Sequence, residues 1–541
     1  MASPLRYRLR RSALAGACVA VSAAAAAASA FTAGPARPAA TVSRTAGVTG
    51  PRVRVGAGAL GTNVAPWDYS YAPGAAAAPG MQRMLRAARV GMLHYGGGSW
   101  ADFYDWRANS DIKHCLPYHS TASFTGACSA GDALDFARFS EQARALGADS
   151  FVTVNYGSGS PALAARWVAA ARTTPGEGVR LWEVGNESYG CWEVDNELAG
   201  APEHYRGYTP DTYTTVGHVH ENPTCPQVTQ GSVRGTRTLA ASYAVNSLKF
   251  IRAMRKADPA ARIGIPWAFG ADVHGAAVPA ADEWNRIVLR ADGRYASFVD
   301  ARWYPYGFSG PTGSEGGPTD EQLLRALTHI PALYARIRRA LDAYAPSAGV
   351  VVGETGMSNH LSLAVCEPVG AVFAAGDALS WLAAGASTVD WFDLNNYGNT
   401  ARSCDRADNG LFTSSAPAAP ETPYWGYLLA SKLAVPGAAL GAIGVSVRSG
   451  FGRSGFGRYV SAARAVLGFE AVLPGGRRAV ALVNTGTSPA RGLVLRPFAA
   501  LTGTLRTWSY SKECPRMVAG AARAGAAVIL PGESVMVLQT R

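Results

Sequence analysis

Short apolar strand candidates alternate with helix-like segments through most of this 541-residue chain, and that alternation constrains its fold more than any other feature. Strands are predicted at 52–58, 90–95, 150–155, 180–184, 262–267, 297–304, 349–353 and 387–394. Amphipathic segments at 133–146, 161–172, 239–257, 321–343 and 369–384 lie between them. Repeated strand–helix units of this kind are the pattern of a (β/α)8 barrel. After about Trp425 the pattern changes. A helical piece at 424–433 leads into alternating runs at 458–460, 465–469, 479–483, 503–509 and 527–538, with turn residues between them and no long helix. The expected fold class is therefore α/β: a TIM barrel over 51–425 with a C-terminal antiparallel β-sandwich over 426–541 that packs against it.

The first residues belong to export rather than to the fold. Arg6, Arg8, Arg10 and Arg11 precede an alanine-rich apolar run, and Ala28-Ser29-Ala30 fits a small-residue cleavage site, so 1–30 reads as a signal peptide. The Arg10-Arg11 pair with Leu14 also fits twin-arginine export, and the surroundings of Cys18 fit a lipidation box poorly. Residues 31–50 are rich in Pro, Ala and Thr and read as a flexible leader. No later stretch has the apolar length of a membrane span. The expected location is secreted and extracellular.

A hydrophobic share of 48% with 16% charged residues permits a large core. Formal charge is +12, and setting aside the four signal arginines leaves 46 basic against 38 acidic residues. A basic surface attracts acidic polymers such as uronic-acid polysaccharides. No basic cluster with interleaved aromatics appears, so nucleic acid is not an expected partner. Nothing in the sequence bears on the oligomeric state. Seven cysteines follow the signal, without the close pairs of a zinc site. The expected pairs are Cys115–Cys128, Cys191–Cys225 and Cys366–Cys404, each bracing a long loop. Cys514 is then left over, either free and buried or paired in a way this scheme does not foresee. His204, His218 and His220 lack metal-site spacing and a further ligand, so neither metal nor other cofactor is expected.

Two motifs carry chemistry. Leu181-Trp-Glu-Val-Gly-Asn-Glu-Ser188 is a short apolar strand ending in an Asn-Glu pair, and Val350-Val-Val-Gly-Glu-Thr-Gly356 places Glu354 after a second apolar strand. In a barrel both fall at the C-terminal strand ends, where such folds build their sites. Two such carboxyls suit glycosidic bond cleavage: one protonates the leaving oxygen, the other attacks or stabilises the sugar cation. The expected partner is a polysaccharide or oligosaccharide. Glu183 alternates toward the same face and reads as a buried carboxylate paired with an arginine. Asp102, Asp105 and Trp106 read as shaping the pocket. The insertion 189–237 reads as a braced surface loop or a substrate wall, with Trp192 its candidate for sugar stacking.

These stretches, with Leu93-His-Tyr-Gly-Gly-Gly-Ser-Trp-Ala-Asp-Phe-Tyr-Asp-Trp106, Val154-Asn-Tyr-Gly-Ser-Gly159 and Trp303-Tyr-Pro305, resemble the clan A glycoside hydrolases, in particular the α-L-arabinofuranosidase-like group around family 51. Asp408-Asn-Gly-Leu-Phe412 and Thr422-Pro-Tyr-Trp-Gly-Tyr427 resemble that group's passage from barrel to sandwich. The resemblance runs from about residue 52 to the end. It implies Glu187 as general acid/base and Glu354 as nucleophile of a retaining double displacement, with carboxyls about 5–5.5 Å apart. It implies Asn186 on the sugar 2-hydroxyl, Tyr304 bonded to Glu354, Trp391 as an apolar wall and Asn155 among the substrate-binding residues. Arabinofuranoside follows from the resemblance alone. Xylosides, glucuronides and β-glucans are cut by related barrels with the same carboxylate pair, and a catalytically silent carbohydrate-binding barrel is the alternative from another class.

Two positions depart from the group. Where it has arginine after the second strand this chain has His94, and where it has histidine after the sixth this chain has Arg302. The hypothesis is a compensating exchange, with Arg302 supplying from the sixth strand the cation usually held by the second, near Glu354. Both residues are therefore expected at the substrate site.

Overall fold

The computed structural model of the chain describes residues 41–42, 51–102, 104–111, 132–157, 159–190, 193, 233–269, 279–306, 318–357, 366–395, 409–444, 465–495, 503–526 and 528–541. Eight parallel strands close into a barrel: β3 (Leu60–Val64), β4 (Met92–Tyr95), β7 (Asp149–Val154), β8 (Leu181–Val184), β9 (Ile263–Trp267), β10 (Phe298–Trp303), β11 (Gly349–Thr355) and β12 (Val389–Trp391). Around them lie helices α1 (Ala78–Ala87), α2 (Phe136–Leu146), α3 (Pro161–Thr173), α4 (Val233–Ala257), α5 (Pro279–Asp292), α6 (Asp320–Ala326), α7 (Ile330–Tyr344), α8 (Pro368–Ala384) and α9 (Thr422–Ala430).

Caps written in the sequence start several helices. Asp135 and Ser160 accept from the amides of Arg138 and Leu163, and Pro161 opens α3 where no intrahelical donor is needed. Gly147 closes α2 in the left-handed conformation. Thr319 and Gln322 form a reciprocal capping box on α6. The segment predicted as one helix over 321–343 is α6, a 3-10 turn at Leu327–His329 and α7.

The barrel interior is layered by strand alternation. Met92, Phe151, Leu181, Phe298 and Val351 form an apolar plug near the N-terminal strand ends. Two residues further along, the same strands carry His94, Thr153, Glu183, Asp300 and Gly353. The centre of the barrel is therefore polar. This layer supports the site above it.

The strand predicted at 52–58 is corrected. Val53–Arg54 (β2) pairs antiparallel with β13 (Ala439–Ile443) at the edge of the second sheet, and the first barrel strand is β3. Arg52 fixes that edge through a 3.0 Å ion pair with the buried Glu470. The sheet has the order β18-β17-β20-β15-β14-β13-β2, its other strands being β14 (Val466–Val472), β15 (Arg478–Asn484), β17 (Thr504–Ser511), β18 (Val518–Arg523) and β20 (Ser534–Gln539). The run predicted at 527–538 is two strands, β19 (Val528–Leu530) and β20. Strand β19 pairs with β16 (Ala490–Leu495), and β16 pairs in parallel with β1 (Thr41–Val42), which lies in the stretch read as a leader. The run predicted at 458–460 lies outside the described residues.

Alternation on β15 shows why this domain is a sandwich. Ala479, Ala481 and Val483 join the barrel's core cluster, while Val480 and Leu482 pack with Leu505 and Leu538 of the same sheet and with Leu530 of the three-stranded sheet. Helix α8 lies between barrel and sandwich and is buried nearly all round. Lys512 ties the domains at their rim, reaching Asp320 of α6 at 2.7 Å and Glu533 at 2.8 Å. No described helix is long and apolar enough to cross a membrane.

Candidate active site

Strand β11 carries an irregularity that aims Glu354. Asp300 of β10 pairs with Val351, but Arg302 pairs with Glu354, so β11 spends one residue more than its neighbour over this interval. The pairing with β12 shifts in the same stretch. Simple alternation from Val351 and Gly353 puts Glu354 on the outer face; the extra residue turns it inward. Its carboxyl is 4% exposed. Arg302 Nη1 bonds Oε1 directly, and the Tyr304 hydroxyl donates to Oε2 at 2.9 Å.

The Arg302 guanidinium faces two further acids. Its Nη2 lies 2.5 Å from Glu183 Oε2 and 3.1 Å from Asp300 Oδ2. Thr153 donates to Glu183 at 3.0 Å, and the Gly353 amide donates to Asp300 at 2.6 Å. One cation thus faces three carboxyls, all nearly without solvent. Burial pushes Glu183 and Asp300 upward, and Asp300 further through the charge of Glu183, so the protein resists ionising all three. Burial also pushes Glu354 up to about 7, against the opposing pull of Arg302 and Tyr304. Arg302 is held in its charged form by these neighbours.

His94 sits beneath this group. Its Nδ1 donates to the Gly353 carbonyl at 2.9 Å, Nε2 lies 2.8 Å from the Thr153 hydroxyl, and the ring stacks on Phe151 at 3.8 Å. Burial and the nearby Arg302 charge keep its pKa well below the ordinary value, so the ring is neutral. Arg302, and not His94, is the cation that touches Glu354. Both ring nitrogens of His94 are engaged, by Gly353 and Thr153, so its expected place on the substrate is corrected to one beneath Glu354, holding the backbone from which that side chain projects.

Glu187 follows β8 through a turn in which it adopts φ 38°, a left-handed conformation rare for a side chain of this kind. It is half-buried, and the Tyr189 hydroxyl donates to its Oε1 at 2.7 Å. Its charge acts on Glu354, Tyr304 and Arg302. The two carboxyls therefore share one electrostatic environment at the C-terminal mouth of the barrel. One presents a half-buried oxygen and the other a buried carboxyl beside a cation, an arrangement suited to proton donation on one side and nucleophilic attack on the other.

Asn186 is 2% exposed. Its backbone amide donates to the Asp102 carboxylate at 3.2 and 3.3 Å, and its side-chain Nδ2 donates to Glu193 at 2.8 Å. The loop after β4 supplies the opposite wall. Gly98 holds φ 65°, a left-handed conformation that favours glycine, and its open side faces the Phe392 ring and Glu354 Oε1.

Two predicted site residues are placed elsewhere. Trp391 is fully buried; its indole donates to the Asn409 carbonyl at 2.6 Å and its ring packs edge-on against Phe373 and Tyr427. The apolar wall is its half-buried neighbour Phe392, edge-on to Tyr304 at 6.4 Å. Asn155 is buried after β7 and bridges two loops, donating to the Tyr104 carbonyl and accepting from the Gly159 amide. Trp106 stacks on Trp167 in the core. Trp192, the three loop histidines and Cys115, Cys128, Cys191, Cys225 and Cys404 lie outside the described residues. No described cysteine is free, so Cys514 is not the spare thiol. Sequence reasoning missed Tyr189, Glu193 and Phe392. Tyr189 and Phe392 each stand within two residues of a residue already singled out, and that adjacency was the available signal. Among the described residues no cluster of His, Cys, Asp and Glu is placed to hold a metal ion.

No protein-family model matches the chain, and no curated protein matches it in sequence. Solved structures do match in fold. A family 51 α-L-arabinofuranosidase from Bifidobacterium longum superposes with TM-score 0.62 at 13% identity, covering 94% of this chain and 100% of that one. The family 51 arabinofuranosidase from Xanthomonas axonopodis pv. citri gives TM-score 0.61 at 14% identity, covering 93% and 99%. The family 44 endoglucanase Cel44A from Clostridium thermocellum gives 0.55 at 11%, with the same two coverages. The chain thus resembles family 51 and other clan A glycoside hydrolases in fold across both domains.

Proposed function

We propose that the protein is a secreted, retaining glycoside hydrolase acting on polysaccharide or oligosaccharide, with α-L-arabinofuranosides as its substrate class. The observation that carries this reading is the setting of Glu354: a buried carboxyl bonded by Arg302 and Tyr304, within the field of the half-buried Glu187. Glu187 protonates the leaving oxygen while Glu354 attacks the anomeric carbon, forming a glycosyl ester. Glu187 then takes a proton from the water that releases the sugar. Tyr304 and Arg302 stabilise the carboxylate before attack and again as it departs. The residues that carry out these steps belong to the chain itself. A β-glucan substrate is the second reading, favoured by the likeness in fold to a family 44 endoglucanase.

Secretion rests on the arginine-led apolar segment within 1–30 and is checked by N-terminal sequencing of the exported product, with a start near Phe31 expected. Oxidised cysteines suit that location. Function is tested by a product profile on arabinoxylan, arabinan and arabinogalactan, with the anomer of the first-formed sugar read by NMR. Released arabinose of retained configuration supports the proposal. Retention on polysaccharide without turnover identifies a binding protein instead.

A further inference from the structure

Glu193 is a buried acid that the scheme above does not use. It is 2% exposed, stands six residues after Glu187, and its Oε1 accepts from two side chains: the Asn186 amide at 2.8 Å and the Ser99 hydroxyl at 2.7 Å. Ser99 lies in the 3-10 turn Gly98–Asp102, whose first residue borders Glu354 and whose last carboxylate receives the Asn186 backbone amide. Glu193 therefore joins the loop after β4 to the residue beside Glu187. The arrangement leaves two buried atoms without a hydrogen-bond partner, Asn186 Oδ1 and Glu193 Oε2. Orphaned buried polar atoms at a candidate site point to a ligand hydroxyl.

We propose that Glu193 is a positioning residue: it fixes the rotation of the Asn186 amide, and through it sets recognition of the sugar hydroxyl next to the anomeric carbon. An asparagine amide left to itself turns over between donor-first and acceptor-first orientations. Anchoring Nδ2 on Glu193 removes one of them and presents Oδ1. Burial, with the charges of Asp102 and Glu187, favours the protonated acid at Glu193, so this anchor adds no second anion beside the catalytic pair. This inference rests on the hydrolase reading.

The test compares 4-nitrophenyl α-L-arabinofuranoside with its 2-deoxy analogue on wild type, Glu193→Gln and Glu193→Leu. Hydroxyl contacts that strengthen in the transition state make the wild type favour the 2-hydroxy substrate by roughly 100-fold in kcat/KM. Glu193→Leu is expected to shrink that ratio to about tenfold or less, and Glu193→Gln, which keeps an acceptor, to restore most of it. Ser99→Ala, which frees the other arm of the anchor, shrinks it less and serves where the leucine variant does not fold. A ratio unchanged in the leucine and alanine variants overturns the inference while leaving the hydrolase reading intact. A wild type that turns over neither substrate, nor any arabinan, overturns that reading and this inference with it.

Discussion

Arg302 of β10 and Glu354 of β11 are paired across adjacent strands, and the guanidinium bonds the carboxylate directly inside a barrel that admits almost no water. The same guanidinium is the cation facing Glu183 and Asp300. Arg302→Ala leaves three buried acids without a counter-charge. Breaking such a pair costs about 3–5 kcal/mol. The variant should show a lower denaturation midpoint together with loss of turnover. Arg302→Lys, which lacks the planar fork, should recover stability more than activity. If the arginine supplies what the second strand usually supplies, exchanging His94 and Arg302 together retains more activity than either single change. A double exchange as inactive as the worse single one contradicts the compensation.

The pH profile follows from Glu354. Its pKa is pushed up to about 7, chiefly by burial, and only the ionised form attacks. The ascending limb of turnover should therefore be centred near pH 7, with a descending limb set by loss of the proton that Glu187 must hold. The Tyr304 hydroxyl bonds the ionised carboxylate, so Tyr304→Phe removes a stabiliser of that form and moves the acid limb to higher pH, by about one unit or more. A limb that stays in place or moves to lower pH contradicts this account.

Glu187 is tested by leaving group. Glu187→Gln should lower kcat/KM by roughly 10²–10⁴-fold on a natural linkage, where the departing alcohol needs a proton. The loss should be much smaller for a nitrophenolate, which leaves without one. Equal losses on both substrates assign Glu187 a structural role.

Trp391 and Phe392 are adjacent but should fail differently. Trp391→Ala empties a fully buried site and costs about 3–5 kcal/mol, read as a fall in the denaturation midpoint. Phe392→Ala removes a half-buried ring beside Tyr304 and should raise KM with little change in that midpoint.

Buried acids outside the site set a second pH dependence. Burial raises Asp390 to about 8, and Asp68 and Asp292 to about 7. A pKa raised on folding contributes stability that is fully present below the unfolded value near 4 and is lost as pH rises through the folded value. Stability should therefore fall between about pH 4 and 8. Asp390→Asn, which cannot ionise, should flatten the upper part of that fall in a thermal-denaturation series.

The barrel is legible because short, largely apolar strands alternate with helical segments and eight such strands can be counted. The first strand is placed at 52–58 by sequence because 52–58 and 60–64 both carry β-branched residues, and pairing, not composition, assigns Val53–Arg54 to the sandwich edge. Helices α1 and α5 are amphipathic but are absent from the segments predicted by sequence. Glu187 and Glu354 were visible as acids closing apolar strands. The extra residue in β11 that turns Glu354 inward was not, because register is a relation between strands. On β12 simple alternation leaves Trp391 in the core with Val389 and turns Phe392 to the other face, beside Tyr304. Glu193 was hidden because an acid in a long polar insertion looks like any solvated side chain until folding buries it.

The central claim is that Glu354 attacks the sugar. A 2-deoxy-2-fluoro arabinofuranoside with a good leaving group should stall the reaction at the glycosyl ester, and peptide mapping by mass spectrometry then locates the adduct. One sugar per chain is expected, on the peptide containing Glu354 and absent from Glu354→Gln. A sugar on another carboxylate, or product of inverted configuration with no adduct at any residue, contradicts it.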